Sequence, residues 1–166
     1  CLLSGKKHWR FILNHAGLWL ALFAGFVGSA SEQTLRLPVF RDKFNNEAFT
    51  SQGRTVFLDK PFQLKEFAVE HYANGTPRHF FADIIVDEQV IRLEVNHPYS
   101  AGLGEDYYLT SYDMRSPEPA YCVVQIVREP LKYVMLAGII MMLVGGFLLF
   151  LEGPKRSDAS SAEKQN

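Results

Sequence analysis

The sequence predicts a membrane protein in which two transmembrane α-helices flank an all-β domain, an antiparallel sandwich or open barrel. Residues 11–30 and residues 131–151 are almost uninterrupted apolar runs. About 20 residues at ~1.5 Å rise per residue cross the ~30 Å hydrocarbon core of a bilayer, so each run is long enough to span it. Residues 31–130 alternate apolar and polar side chains and are punctuated by turn sequences, which indicates strands.

The chain begins with a basic flank, residues 1–10, which contains Lys6, Lys7 and Arg10. Positive residues beside a span are typical of its cytoplasmic side. The span that follows, residues 11–30, contains Gly17, and small residues of this kind let a second helix approach closely.

Asn14 and His15 are unusual within this first span. An ionisable side chain at membrane depth is costly, and it is usually retained because it binds or moves something. His15 is therefore a candidate binding residue. The alternative is that its imidazole bonds Asn14, a neighbouring helix or lipid head groups near the inner interface.

The middle of the chain, residues 31–130, contains about seven segments with strand character. The sequence Asn74–Pro77 is a strong turn signal between two of them. Residues 41–53 are polar and are predicted to be a loop, as is the stretch that contains Pro98. The predicted strands are Thr34–Phe40, Arg54–Leu58, Phe62–Tyr72, His79–Val86, Val90–Asn96, Tyr107–Asp113 and Tyr121–Val127.

The second span, residues 131–151, begins with Lys132 and Tyr133, which suit the outer membrane interface. The tail, residues 152–166, is polar and is predicted to be disordered and cytoplasmic, with Lys155 and Arg156 beside the span. Basic residues thus flank both spans on the same side. They predict a multi-pass protein of the inner (cytoplasmic) membrane whose central domain, residues 31–130, is extracytoplasmic or periplasmic.

Composition excludes several classes of function. A net charge of −1 argues against binding of nucleic acid. Two cysteines, Cys1 and Cys122, are too few for a disulfide framework, and Cys122 in an apolar strand is predicted to be a small core residue. No nucleophile elbow, phosphate loop or HExxH segment occurs, so nothing supports hydrolysis or group transfer.

The remaining histidines of the middle region are weaker candidates. His71 and His79 flank the Asn74–Pro77 turn and could face each other across a hairpin, although two histidines without a third ligand favour a surface pair over zinc. His97, between an asparagine and a proline, is predicted to be an exposed turn residue.

The stretch Val95–Asp113, VNHPYSAGLGEDYYLTSYD, resembles the ResB (CcsB) family, the membrane component of System II cytochrome c biogenesis. Leu64–Pro77 also resembles a family segment, and His15-Ala16-Gly17 resembles the histidine and glycine of the family's third helix. The similarity covers the C-terminal half of a family member, since two further spans precede this point in the family. The residues that match the family motif are Val95, Asn96, Pro98, Gly102 or Gly104, Tyr108, Ser111 and Tyr112.

This resemblance implies a part in carrying haem across the membrane and presenting it to apocytochrome c, together with a CcsA/ResC-type membrane protein. It implies that His15 is a haem ligand, that the haem is bound transiently and shared with the partner, and that no metal beyond the haem iron is held. The chain would be a subunit of a haem-ligating cytochrome c synthase, without catalytic residues of its own. The alternative is a membrane-anchored β-domain scaffold that binds another protein and handles no cofactor.

Overall fold

The computed structural model describes residues 3–116 and 118–151. Cys1 and the predicted tail, with Lys155 and Arg156, lie outside the described residues. The chain divides into two compact units. One comprises the helical residues up to Gly25 and from Val134 onward, and the other is Phe26–Tyr133, which contains the β domain.

The two helices are α1 (Leu3–Ser31) and α2 (Lys132–Phe150). Within them, Trp9–Ser31 and Lys132–Phe150 are long and apolar enough to cross a membrane. α1 begins before the apolar run, so the basic lead-in is helical as well. It ends where the Glu32 N–H donates to the Gly28 carbonyl and the chain turns into the first strand.

Eight strands lie between the helices in the described part of the chain, and every pair is antiparallel. They form one sheet in the order β5-β4-β3-β2-β1-β8-β7-β6. The strands are β1 (Gln33–Phe40), β2 (Asn45–Thr50), β3 (Thr55–His71), β4 (Pro77–Val86), β5 (Gln89–Glu94), β6 (Tyr99–Gly102), β7 (Glu105–Tyr112) and β8 (Tyr121–Arg128).

This single sheet curls around its own core, so the domain has the open form of the predicted architectures and not two separate sheets. The ring of Phe62 on β3 lies edge-on to Tyr107 on β7, with 5.5 Å between ring centroids. Phe67 and Tyr112, further along the same two strands, are 4.8 Å apart. Strands that are four positions apart in the sheet therefore meet across the core.

The core follows from the period of two along each strand. On β1, Leu35, Leu37 and Val39 are buried and the residues between them are more exposed. On the other strands the inward side chains include Ala48, Leu58, Phe62, Leu64, Phe67, Ala82, Ile84, Leu93, Leu109, Cys122, Val124 and Ile126.

Three predicted elements differ from the structure. Residues 41–53, predicted to be a loop, contain β2, a polar strand whose Ala48 is fully buried. The alternation of apolar and polar residues does not reveal this strand, because Asn45 and Asn46 stabilise it through side-chain hydrogen bonds. The Asn45 amide donates to the Pro38 carbonyl at 2.8 Å. The predicted loop around Pro98 likewise contains the short edge strand β6.

The third difference is β3, which was predicted as two strands, Arg54–Leu58 and Phe62–Tyr72, and is one strand of 17 residues. Pro61 lacks an N–H and lies in the stretch where the register against β2 shifts. There the Asn46 amide donates to the Leu58 carbonyl at 3.0 Å, so a side chain takes the place of part of the ladder. The strand continues because the irregularity accommodates the proline.

Candidate functional site

The two helices cross at a point where both are glycine, which confirms that Gly17 allows close approach of a second helix. A Cβ on Gly17 would lie 2.5 Å from the Met142 nitrogen, and a Cβ on Gly138 would lie 2.6 Å from the Ala21 nitrogen. Nearer the N-terminus of α1, Gly145 faces Asn14, and a Cβ there would lie 2.7 Å from the Asn14 nitrogen. The helices are antiparallel and nearly in backbone contact along this face.

His15 lies on the other side of α1 and is exposed. Its Nδ1 is 2.9 Å from the Phe11 carbonyl oxygen, one helical turn back. A carbonyl oxygen can only accept, so Nδ1–H is the donor and Nε2 carries the lone pair in the neutral ring. Asn14 faces α2, whereas His15 faces away from it.

Aromatic rings surround His15 on this outer side of α1. We call Phe11, His15, Trp19 and Phe23 the aromatic face; they recur every four residues, which aligns them along one side of a helix. The Phe11 ring lies 3.8 Å from the imidazole, centroid to centroid, and Trp19 stacks on Phe23 at 5.2 Å. Around His15 this face forms a shallow, almost wholly apolar groove, lined also by Ile12, Ala16, Leu18 and Leu22.

The aromatic face can hold a flat apolar group with one nitrogen ligand. Neutral imidazole is a good axial ligand for metal ions, and a ligating ring commonly donates its other N–H to a carbonyl. His15 meets the second condition, since its Nδ1–H donates to the Phe11 carbonyl, and apolar side chains line the groove around it. The other histidines whose side chains the structure describes, at positions 71, 79 and 97, belong to the β domain.

The family motif begins in a turn that requires an unusual backbone. Asn96 has a φ of +63°, a left-handed conformation that asparagine tolerates better than most residues. The His97 N–H then donates to the Glu94 carbonyl at 3.2 Å, which closes the turn before Pro98. His97 is exposed, as predicted for a turn residue. The Asn and Pro of the motif therefore set the chain direction.

The tyrosines of the motif, Tyr108 and Tyr112, do not lie on one face of β7. Tyr108 and Thr110 face outward from β7, and Leu109 faces the core. A register shift follows, in which Leu109 pairs with Val124 and Ser111 with Val123. Thr110 is the extra residue of this bulge, and its hydroxyl donates to the Val123 carbonyl at 3.1 Å.

The bulge reverses the side of the sheet on which later residues lie. Ser111 is exposed, and Tyr112 packs against the aromatic rings of Phe67 and Phe80 at the rim of the core. Tyr108, Ser111 and Tyr112 therefore do not form a binding cluster. They mark a β-bulge that directs Tyr112 inward.

Gly104 is the structurally required glycine of the two that could match the motif. Its φ is +77°, and a Cβ there would collide with the Glu129 carbonyl oxygen. Gly102 has open space around it. The Glu129 N–H donates to the Gly104 carbonyl at 2.6 Å, so the β6–β7 turn is bound to the segment that leads into α2.

The possible metal pair of His71 and His79 is not formed. The register places His71 opposite Pro77 and His79 opposite Glu70, and His79 Nε2 lies 3.7 Å from a Glu94 carboxylate oxygen. Within residues 3–116 and 118–151, no group of three or more His, Cys, Asp or Glu side chains could hold a metal ion. Cys122, in contrast, is the predicted core residue: it is fully buried and free, and burial raises the pKa of its thiol to about 12.

A buried ion pair at the start of α2 was not found by sequence reasoning. Asp106 on β7 is 6% exposed and bonds the Lys132 ammonium, which the sequence had assigned only to the membrane interface. This bond holds the pKa of the Asp106 carboxyl below its usual range, although burial opposes the shift. Beside it, the Arg128 guanidinium donates to Glu105 at 2.7 Å. The register of β7 and β8 pairs Glu105 with Arg128, and Lys132 follows shortly after β8, so spacing in the sequence gave no signal.

Comparison with known proteins then assigns the family. The model of the ResB-like family matches residues 6–120. The chain belongs to the ResB-like family. This confirms the resemblance read from His15, the Leu64–Pro77 segment and the Val95–Asp113 motif. Two candidate membrane spans and membership of this family together fit a membrane protein.

A solved structure shows that the ResB-like fold described above occurs elsewhere. The chain is similar to the structure titled "Cytochrome c Heme Lyase CcmF", with a TM-score of 0.55 and 14% sequence identity. The likeness covers 89% of this chain and 25% of that one, so the chain spans about a quarter of the length of the solved protein. At this identity the likeness shows a common fold. No curated protein matches the chain.

Proposed function

We propose that this ResB-like protein takes part in cytochrome c biogenesis as a membrane-anchored subunit that supplies one axial ligand, His15, to haem. The haem would be shared with a CcsA/ResC-type membrane protein, and the β domain would lie on the extracytoplasmic side, where apocytochrome c is assembled. Family membership supports this assignment, and the solved protein of similar fold bears the name of a cytochrome c haem lyase.

The observation that carries the proposal is the orientation of the His15 imidazole. Its Nδ1–H is bound to the Phe11 carbonyl at 2.9 Å, which fixes the ring and leaves the Nε2 lone pair available. The ring lies on the side of α1 opposite the helix crossing, where packing within the chain does not cover it. An ionisable residue exposed at this depth of a span is costly unless a strong partner is provided.

The aromatic face suits haem in shape and polarity. Haem would supply an iron that takes nitrogen ligands, and the residues of this chain would bind and orient the macrocycle. His15 would hold it from one side, and Trp19 with the neighbouring aliphatic side chains would cover its apolar faces and exclude water. Because the aromatic face offers one imidazole, the partner chain would provide the other.

Replacement of His15 tests the proposal. In the complex co-purified with its CcsA-like partner, His15→Ala should strongly reduce the Soret absorbance per mole of protein and the yield of cytochrome c. Protein level should stay near normal, because His15 lies on the side of α1 away from the helix crossing and packs mainly against Phe11. Added imidazole should restore part of the Soret band by filling the vacated coordination position.

His97→Ala is the matched control, since it removes an exposed histidine from a turn of the β domain. It should leave both the Soret band and the cytochrome c yield unchanged. If His15→Ala membranes keep the Soret intensity and cytochrome c yield of the parent, His15 is not a ligand. The chain would then be a β-domain scaffold that anchors another protein and handles no cofactor.

A further inference from the structure

The hairpin tip between β6 and β7 has an unusual composition for a turn. Residues 101–104, Ala-Gly-Leu-Gly, contain no polar side chain. Leu103 is 89% exposed, the most exposed large apolar side chain among the described residues. Tight turns that face water are usually made from Gly, Asn, Asp, Ser and Pro. An exposed leucine at such a position indicates that the hairpin tip contacts an environment less polar than water.

The position of this hairpin tip is fixed by backbone contacts. Gly104 accepts a hydrogen bond from Glu129 and lies so close to it that a Cβ would not fit; the same Cβ would be 3.4 Å from the Pro130 Cα. Glu129 and Pro130 come immediately before α2, whose candidate span begins at Lys132. The tip is therefore held beside the point where the chain enters that span.

The C-terminal end of α1 lies at the same place. A Cβ on Gly28 would be 3.5 Å from the Leu131 Cβ, so the end of the first candidate span adjoins the start of the second. All of these residues, with the hairpin tip, belong to the unit Phe26–Tyr133. If both helices cross a bilayer, its outer interface lies at this end of the unit, next to Leu103.

The charged residues at this end of the unit do not provide an electrostatic attraction to lipid head groups. Arg128 pairs with Glu105, and Lys132 pairs with the buried Asp106. Lys60, which lines the groove beside the tip, pairs with Asp87 at 2.9 Å. Because each of these cations has a carboxylate partner, anionic head groups gain little from them. Contact there would depend on apolar burial.

We propose that the hairpin tip, residues 101–104, inserts Leu103 into the interfacial layer of the lipid bilayer. It acts as a third attachment point beside the two helices. The inference rests on the membrane placement in the proposed function, and its occupant is lipid. A single leucine gives a weak, reversible contact that is effective because the helices already hold it at the surface.

A fluorescent reporter at the tip tests the proposal in the full chain. Cys1 is replaced by serine, and Cys122 is left in place because its thiol is buried. Leu103→Cys is labelled with an environment-sensitive dye. The protein is placed in phosphatidylcholine nanodiscs without nitroxide, with a lipid that carries a nitroxide near its head group, or with a lipid that carries it midway along the acyl chain. Ser116→Cys, in the exposed connection at the opposite end of β7 and β8, is the aqueous control, and Leu143→Cys, exposed on α2, is the lipid control.

We expect the head-group nitroxide lipid to quench the dye at Leu103→Cys at least about twofold more than at Ser116→Cys, with a blue-shifted emission that added salt does not reverse. Equal quenching at these two positions, together with strong quenching at Leu143→Cys by the acyl-chain nitroxide, would overturn the lipid contact while leaving the membrane placement intact. Absence of quenching at Leu143→Cys would overturn the membrane placement and the contact together. If the dye at Leu103→Cys is shielded from water only when a partner protein is co-purified, the hairpin tip contacts protein and not lipid, which would contradict the proposal.

Discussion

Replacement of Lys132 by methionine should destabilise the β domain through Asp106. The change leaves a carboxylate that is 6% exposed without its cation. Removing one partner of a buried ion pair costs ~3–5 kcal/mol, because the remaining charge is buried without compensation. Since the Lys132 side chain is itself 37% exposed, water reaches the pair, and we expect a loss of about 2–3 kcal/mol.

The pH dependence follows from the direction of the Asp106 shift. In the parent protein the Lys132 ammonium lowers the carboxyl pKa, so the ionised form stabilises the fold above the unfolded pKa of about 3.9. That contribution is lost as the pH falls through the folded pKa. In Lys132→Met, burial raises the carboxyl pKa, and protonation relieves the penalty. The difference in stability between the two proteins should therefore narrow as the pH is lowered from 7 towards 4.

Cys122 provides the assay, because its thiol is fully buried in the core and reacts when the domain opens. With Cys1 replaced, the rate at which a maleimide labels Cys122 should rise about 30–150-fold in Lys132→Met at neutral pH, since each 1.36 kcal/mol is a factor of ten. The control is Lys60→Met, which breaks the exposed pair with Asp87 and should change the rate by less than about fivefold. Labelling of Lys132→Met at the parent rate would refute the account of the buried pair.

Two glycine positions give further predictions, each with a matched control. Gly104→Ala should speed maleimide labelling of Cys122 by roughly 30-fold or more, because it combines a φ of +77° with a backbone collision. Gly53→Ala, also at a φ of +77° but in open space, should lower the free energy of unfolding by only ~1 kcal/mol. Equal effects of the two variants would show that the collision at Gly104 is relieved at little cost. Gly138→Ala should separate the two helices at their crossing, and so abolish disulfide cross-linking between cysteines placed on the two helices one turn from that crossing. Gly146→Ala, where the atom nearest to the added Cβ is 3.7 Å away, should leave cross-linking intact. Undiminished cross-linking in Gly138→Ala would contradict the tight crossing.

The helices and most strands could be predicted from the sequence because their signals are local. An apolar run of about 20 residues and a period of two need no knowledge of partners. The parts of the sheet that were not predicted are those where a side chain replaces a backbone group as hydrogen-bond partner. Asn45 and Asn46 sustain β2 in a polar segment, and they sit opposite the irregular part of β3 that accommodates Pro61. The periodicity of the sequence does not reveal a side chain that takes the place of a backbone hydrogen-bond partner.

His15 stands out in the sequence because a histidine within an apolar run is unusual, and it stays a candidate ligand. Its orientation could not be predicted. That it faces away from Asn14 and the second helix depends on where Gly17 meets Gly138, which is a property of the pair of helices. The side of the sheet on which Tyr112 lies likewise depends on the partner strand, because the bulge at Thr110 arises in the pairing of β7 with β8.

The pairing of β1 with β8 has a consequence for biosynthesis. Strands β1–β5 pair with their immediate successors, as do β6–β8, so both groups can form from local hairpins soon after synthesis. The seam between the groups joins Gln33 to Arg128, residues separated by about 95 positions, and must wait until the last strand has emerged. During that delay β1 exposes an open edge, a template for unwanted association. Closure of this seam is the slow step we expect in folding, and it completes the domain only as the second helix is being made.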